Sequence, residues 1–460
     1  MALADLKSEE AFALKEQYTE VAIAVELNGE LGLAKQGFAR LFHLLRDRLP
    51  WLGRVFKGLR RDKPNAGGEA YNVDQSGNAD ELWKQAPVAS SVWHRRDPAD
   101  VTPERIAQGP WYYGKDVPVL PKAGEVWKLT GLRSQMSDGT HASADIAYGD
   151  STMKLKFRKS RVGVYEEVVV ARLVWAMGYE TEAQYIVPHV RVEPRVFLAA
   201  HSTKARIGWK FRLGKSADDI VPGRPPKGIS VPFAGLDVGP EPEFVHVKFK
   251  DGHEETGDQA ISSIGRALDD RKVMDSMEWI ELDKAEVETE AGDRESIGPW
   301  DFDADAHVNQ REVRALAILM SSWLDSRDMK PSNLRLELKE KGGKLTLSNL
   351  VSDTGSGGGV VYTELSPEVP INLGGKVLHA NVNAYTVDAF DRMTLQDGKW
   401  AVAQLAALSV EQIRAAVTSG SFTPEAQKIT TSLLISRRNS LVKSFGLEGS
   451  FPMLSETTTK

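Results

Sequence analysis

The chain has 460 residues, 41% of them apolar and 27% charged, the balance of an ordinary globular protein with room for two or three domains. Its 58 Lys and Arg stand against 64 Asp and Glu, a net charge of −6, so composition gives no support for a nucleic-acid partner. With no cysteine in the chain, disulfides, thiolate metal sites and a cysteine nucleophile are excluded.

The first ten residues are charged early and lack the apolar core of a signal peptide, and no run approaches ~20 uninterrupted apolar residues. The expectation is a cytoplasmic protein, or a periplasmic or secreted one if a leader precedes this sequence in the native chain. Residues 1–63 read as a helical N-terminal extension. Within it, 37–61 combine Phe38, Leu41, Phe42, Leu45, Trp51, Leu52 and Phe56 with a cluster of Arg and Lys, and Pro50 breaks the segment into two short helices. Such a basic amphipathic stretch either docks its apolar stripe on the protein's own core or makes peripheral contact with a membrane interface. Residues 64–115 begin in a stretch rich in Asn, Gly, Asp, Ser and Pro and read as an extended linker wrapping the core.

Residues 116–255 carry strand-like runs, notably Glu125–Thr130 and Met153–Phe157. Between them Ser137–Ser143 is a turn of small residues. It reads as an ordinary hairpin turn or as a loop covering a phosphate, with Gly139 the candidate contact; it has no GxGxxG pattern. Lys154 and Lys156 share one face of their strand, because side chains alternate. The spacing then predicts a helix over 165–177 with Gly178 as its stop. On that helix Glu167 lies in a stripe with Ala171, Val174 and Trp175 and faces inward, where it suits an ion pair with a strand lysine; Glu166, on the flank, is expected in solvent.

Residues 256–454 are expected to be mostly helical, after an acidic, exposed segment around 281–296. Asn309 and Glu312 have the N-cap and N3 positions of a capping box, followed by Val313, Leu316, Ala317, Met320, Trp323 and Leu324 at helical spacing. Leu334–Leu338 and Lys344–Leu350 read as two strands around a Lys341–Gly343 turn. Further helices are expected from a cap at Ser409–Gln412 and from Thr423-Pro424-Glu425 through Phe445, before a polar, disordered tail at 455–460.

Between the predicted helix and the hairpin lies Arg327-Asp328-Met329-Lys330-Pro331-Ser332-Asn333, and the hairpin leads to Asp353-Thr354-Gly355. Phosphoryl transfer needs these residue types. One carboxylate aims the nucleophile and accepts its proton, while an amide oxygen and a second carboxylate hold the metal ion that neutralises the phosphates. In that reading Asp328 is the base, Lys330 meets developing negative charge, and Asn333 and Asp353 are metal ligands. The nine histidines show no metal-binding spacing.

The motif resembles the catalytic loop of the protein kinases, with Ser326 where the family usually has His, and Asp353-Thr354-Gly355 resembles its metal loop, with Thr in place of Phe. The segments Val88–Trp93, Thr102–Ile106, Lys154–Phe157, Glu167–Tyr179 and Glu411–Val417 are similar to those of a group of bacterial kinase-like proteins, over roughly residues 85–445. The resemblance implies an α+β, two-lobed kinase-like fold: a β-rich small lobe over 116–255, a helical large lobe over 256–454, and ATP with Mg²⁺ or Mn²⁺ bound between them. It implies Lys156, with Lys154 beside it, on the phosphates, Glu167 positioning Lys156, and a hydroxyl-bearing acceptor on a protein, a lipid headgroup or a small molecule. The irregular glycine loop, the short interval from Lys156 to Glu167 and the lack of an Ala-Pro-Glu motif resemble the atypical kinases. AMP transfer and a nucleotide-binding scaffold without turnover remain alternatives at this level.

Overall fold

The computed structural model describes residues 83–84, 93, 96–110, 124–131, 142–148, 151–157, 161–195, 244–289, 294–299, 310–326, 329, 333–341, 344–352, 354, 371–373, 377–379 and 393–455. The N-terminal extension with its basic segment 37–61, Gly139, Asp328, Lys330 and Asp353 lie outside them.

The fold is α+β. Strands β1 (Val126–Gly131), β2 (Ala142–Tyr148), β3 (Ser151–Phe157), β4 (Glu180–Thr181), β5 (Ala183–Val192), β6 (Phe244–Phe249), β7 (Glu254–Thr256) and β8 (Met277–Thr289) come first. All but β4 form one sheet in the order β3-β2-β1-β5-β8-β6-β7, and β3 also pairs with β8. The five strands β1, β2, β3, β8 and β5 therefore close into a ring. Strand β8 makes this possible by its length. One side of it pairs with β5, while the other takes β6 over Met277–Leu282 and β3 over Glu286–Thr289.

Alternation divides the two faces of this sheet. Met153, Leu155, Ala183, Tyr185, Val187, Ala285 and Val287 join one apolar cluster, which is completed by Ala260, Ile264 and Ala267 of helix α3 (Gly257–Asp269) and Met274 of α4 (Arg271–Ser276). The intervening Lys154, Lys156, Gln184, Glu286 and Glu288 necessarily point the other way. The acidic segment expected to be exposed is thus a central strand: Glu286 and Glu288 are buried. The sheet also runs to Thr289, past the lobe boundary expected at 255, because β8 supplies the strand on which β3, β5 and β6 all pair.

Helix α1 (Pro103–Gln108) lies in the expected linker, and α2 (Arg161–Ala176) follows β3 and ends at Gly178, whose φ of +100° favours a residue without Cβ. Helix α5 (Gln310–Ile318) continues as a π-helical turn over Leu319–Trp323. Strands β9 (Arg294–Pro299), β10 (Leu334–Lys341) and β11 (Lys344–Val351) form a second sheet with β4, in the order β4-β11-β10-β9, and β12 (Ile371–Leu373) pairs with β13 (Val377–His379). Helices α6 (Leu395–Ala406), α7 (Val410–Ser419) and α8 (Pro424–Ser444) close the chain. Complete capping boxes start α6 at Thr394 and α7 at Ser409, and Thr423 caps α8 with Pro424 in its first turn.

A larger apolar cluster unites α2 (Val169, Val170, Leu173, Val174), α5 with its π turn (Leu316, Met320, Trp323) and helices α6–α8 (Trp400, Ile413, Leu434). The linker residues are built into it. Trp93 is buried edge-on against Trp400 and donates to the Met177 carbonyl (2.9 Å), Arg96 stacks on Trp175, and Gln412 donates to the Pro98 and Val101 carbonyls. Helix α2 therefore carries one face in the helical core and another toward the polar side of the ring of strands, and functional groups gather at that junction. Among the described residues no helix is long and apolar enough to cross a membrane.

Candidate functional site

The pairing of β3 with β8 places Lys156 opposite Glu286 and Lys154 opposite Glu288, and the pairing of β5 with β8 places Gln184 opposite Glu288 on the other side. The result is a polar patch across three adjacent strands. Helix α2 lies on that side and contributes Glu167. Lys156 Nζ sits 2.6 Å from Glu167 Oε1, 2.9 Å from Glu288 Oε2 and 3.4 Å from Glu286 Oε1, with all four side chains buried. The ion pair expected between Lys156 and Glu167 is therefore formed, and it has two further carboxylates around it. Lys154 pairs with Glu288 at 3.2 Å instead of joining Glu167. Glu166, expected in solvent, is buried.

A second layer surrounds the first. Gln184 Nε2 donates to Glu167 Oε1 at 2.6 Å and reaches Glu182 Oε2 at 3.4 Å. Arg335, on β10 of the other sheet, stands 3.0 Å from Glu182 and 3.9 Å from Glu288. Glu182 and Glu288 thus approach the same Arg335 nitrogen, Nη1. Burial pushes the Glu182 carboxyl up to about 7, the charge on Glu288 pushes it the same way, and Arg335 and the two lysines pull against them. Burial would raise Glu288 as well, yet Lys154, Lys156 and Arg335 together hold it well below the usual carboxylate range.

The same site connects to the chain segments around the RDxKPxN and DxG motifs. Thr354 Oγ1 donates to the Glu167 carbonyl at 3.0 Å, and the Thr354 carbonyl accepts from Ser326 Oγ at 2.6 Å. The Ser352 amide donates to the Asn333 carbonyl at 2.8 Å, as β10 and β11 leave their shared ladder. Ser326, Asn333, Ser352 and Thr354 are all buried. Residues flanking Asp328 and Asp353 in sequence are thus gathered beside the Lys156–Glu167 pair.

The approach to Ser326 is shaped by the π turn. Leu324 N bonds the Leu319 carbonyl (3.1 Å), and Asp325 takes a left-handed φ of +52°. The carbonyl of Trp323 accepts from Arg437 (3.1 Å) and its indole donates to the Leu434 carbonyl (3.0 Å), anchoring the turn to α8. A continuous helix through Leu324 was expected, and the extra residue in this turn redirects the chain. Glu312 pairs with Arg311 at 2.7 Å, while Asn309 lies outside the described residues.

Among the described residues no group of three or more His, Asp or Glu is arranged to hold a metal ion. Lysines and Arg335 already occupy the space between the buried carboxylates, so the Glu167, Glu182, Glu286 and Glu288 cluster is unsuited to one. Asn333 is buried, and its main-chain carbonyl accepts from Ser352, the residue before Asp353 in sequence. Sequence reading missed Glu182, Gln184, Glu286, Glu288 and Arg335. The alternating Ala285-Glu286-Val287-Glu288 was the available signal, a period-2 pattern that places two carboxylates on one strand face. Models of known protein families, curated proteins and solved structures all give no match to this chain.

Proposed function

We propose that this chain is an ATP-dependent phosphotransferase of the atypical-kinase kind, with a two-lobed arrangement in which the ring of strands with α2 is the small lobe. It transfers the γ-phosphoryl of ATP, with Mg²⁺ or Mn²⁺, to a hydroxyl acceptor. The observation that carries this reading is the buried Lys156–Glu167 pair, linked through Thr354 to the DxG segment and through Ser326 to the catalytic-loop segment. A lysine held by a helix carboxylate supplies a fixed cation for α and β phosphates. The link to Thr354 supports concerted placement of that cation and the metal-binding carboxylate.

In this reading Lys156 grips the phosphates, Glu167 positions it, Asn333 and Asp353 hold the metal, Asp328 aims and deprotonates the acceptor hydroxyl, and Lys330 meets charge on the transferred group. The bound metal would neutralise phosphate charge.

The test is incubation with Mg·ATP followed by mass spectrometry of the chain and of candidate acceptors. A phosphoryl addition lost in Asp328→Ala, with nucleotide affinity retained, is the expected result. Asp353→Ala should instead lose metal-dependent nucleotide binding, because the remaining carboxylates then repel the phosphates. Addition of AMP in place of phosphate would replace phosphoryl with nucleotidyl transfer. Nucleotide-dependent thermal stabilisation without turnover would make the chain a binding scaffold.

A further inference from the structure

Four carboxylates and three cations meet in the cluster behind Lys156. Glu167 comes from α2, Glu182 from the junction of β4 and β5, and Glu286 and Glu288 from β8. Lys154 and Lys156 come from β3 and Arg335 from β10. Gln184 links Glu182 to Glu167, and Glu337 follows Arg335 on the same face of β10. Two of the carboxylates, Glu182 and Glu288, are buried and approach the same nitrogen of Arg335, at 3.0 and 3.9 Å. Like charges this close in a buried site suppress the second ionisation, so the pair retains one proton. With that proton present, three anions face three cations. Without it, the cluster carries one uncompensated negative charge.

We infer that Glu182 and Glu288 are positioning residues for Lys156, sharing one proton whose presence sets the electrostatic balance that a phosphate bound at Lys156 meets. The inference rests on the nucleotide-site reading above and adds a regulation to it. Glu288 contacts Lys156 directly at 2.9 Å and anchors it from the strand, independently of Glu167 on the helix. Glu182 meets Arg335 at 3.0 Å and Gln184 at 3.4 Å, and Arg335 joins it to Glu288. Loss of its proton to solvent adds negative charge behind Lys156, binds the lysine more strongly to its own carboxylates and repels an incoming phosphate. Phosphate affinity should therefore fall as pH rises through neutrality, where the burial-raised carboxyl of Glu182 titrates at about 7.

The probe is Mg²⁺ with ATPγS, titrated calorimetrically into the full chain between about pH 6.5 and about pH 8.5, where its thiophosphate is doubly ionised throughout. Affinity of the wild type should fall by up to about tenfold per pH unit above neutrality, the limit for one coupled proton. Glu182→Gln keeps the hydrogen-bonding shape without the titration and should make the profile flat. Glu288→Gln removes the like charge and should move the step to lower pH, a displacement that a purely structural role would not produce.

Repeating the wild-type titration near neutrality in buffers of different ionisation enthalpy counts proton uptake directly, so the test survives a variant that fails to fold. Binding by the wild type with a flat pH profile and no proton uptake would overturn this inference and leave the nucleotide site standing. An unchanged step in a folded Glu182→Gln protein would do the same. No binding by the wild type at any pH would overturn both.

Discussion

The hydroxyl of Thr354 donates to the main-chain oxygen of Glu167 at 3.0 Å, across 187 residues of sequence. One small side chain thus joins the helix that carries the carboxylate partner of Lys156 to the residue after Asp353. Ser326 completes the connection by donating to the carbonyl of Thr354. The link is a hydrogen bond, which is shorter ranged and more directional than apolar packing.

Thr354→Val preserves shape and removes that donor. The expected cost is about 1 kcal/mol in denaturant unfolding, the usual worth of one buried hydrogen bond. In the proposed phosphoryl transfer, turnover should fall further, by about 10- to 100-fold, because small displacements of positioned groups carry large kinetic penalties. Turnover unchanged in a folded Thr354→Val protein would show that α2 and the DxG segment are placed independently.

Lys156→Met leaves Glu167, Glu286 and Glu288 buried around an apolar side chain. Removing one partner from such a cluster is expected to cost about 3–5 kcal/mol, read by urea unfolding. Adding Glu288→Gln to Lys156→Met should recover part of that loss, because it removes one of the stranded charges. A double-mutant cycle with coupling of about 0.5–3 kcal/mol is the expected signature. Additive losses would mean that the 2.9 Å contact between Lys156 and Glu288 carries no net energy.

Much of this architecture was readable from local chemistry. The helix ending at Gly178, the Leu334 and Lys344 strands, the Ser409 capping box and the Thr423-Pro424 start all depend on neighbouring residues, and all are present. The inward face of Glu167 followed from helical periodicity. The buried strand Met277–Thr289 did not, because its Glu residues read as solvent-facing when considered alone. The burial of Glu286 and Glu288 is offset by Lys154, Lys156 and Arg335, which arrive from strands far away in sequence. The same limit applies to the π turn at Leu319–Trp323, whose carbonyl partner Arg437 lies 114 residues downstream. Local propensity cannot anticipate compensation that tertiary pairing supplies.

Arg437→Met keeps bulk in α8 and removes the donor to the Trp323 carbonyl. Since both residues are buried, the change should cost about 1–3 kcal/mol. Hydrogen exchange should accelerate first at Leu324 and Ser326, whose amides bond Leu319 and Met320 within the turn that Arg437 anchors. Uniform acceleration across the helical core would instead assign Arg437 a general packing role.

Stability should also carry the sign of Glu182. Its carboxyl is pushed up to about 7 from an ordinary 4.5, by burial first and then by the charge on Glu288. Asp397, buried at the start of α6 and opposed by Arg314, is likewise pushed up, to about 6. The folded chain therefore holds protons that the unfolded chain has released, and this contribution is fully present below the unfolded values and lost as pH rises through the folded ones. Glu288 has the opposite sign, since its carboxyl is held well below 4.5 and its contribution is lost in acid. The difference between wild type and Glu182→Gln isolates the first effect. Between about pH 5 and about pH 8 the wild type should lose on the order of 2 kcal/mol relative to the variant, as measured by urea unfolding at each pH. A difference that stays constant across that range would mean that Glu182 is ionised throughout, and Arg335 at 3.0 Å would then be its sufficient counter-charge.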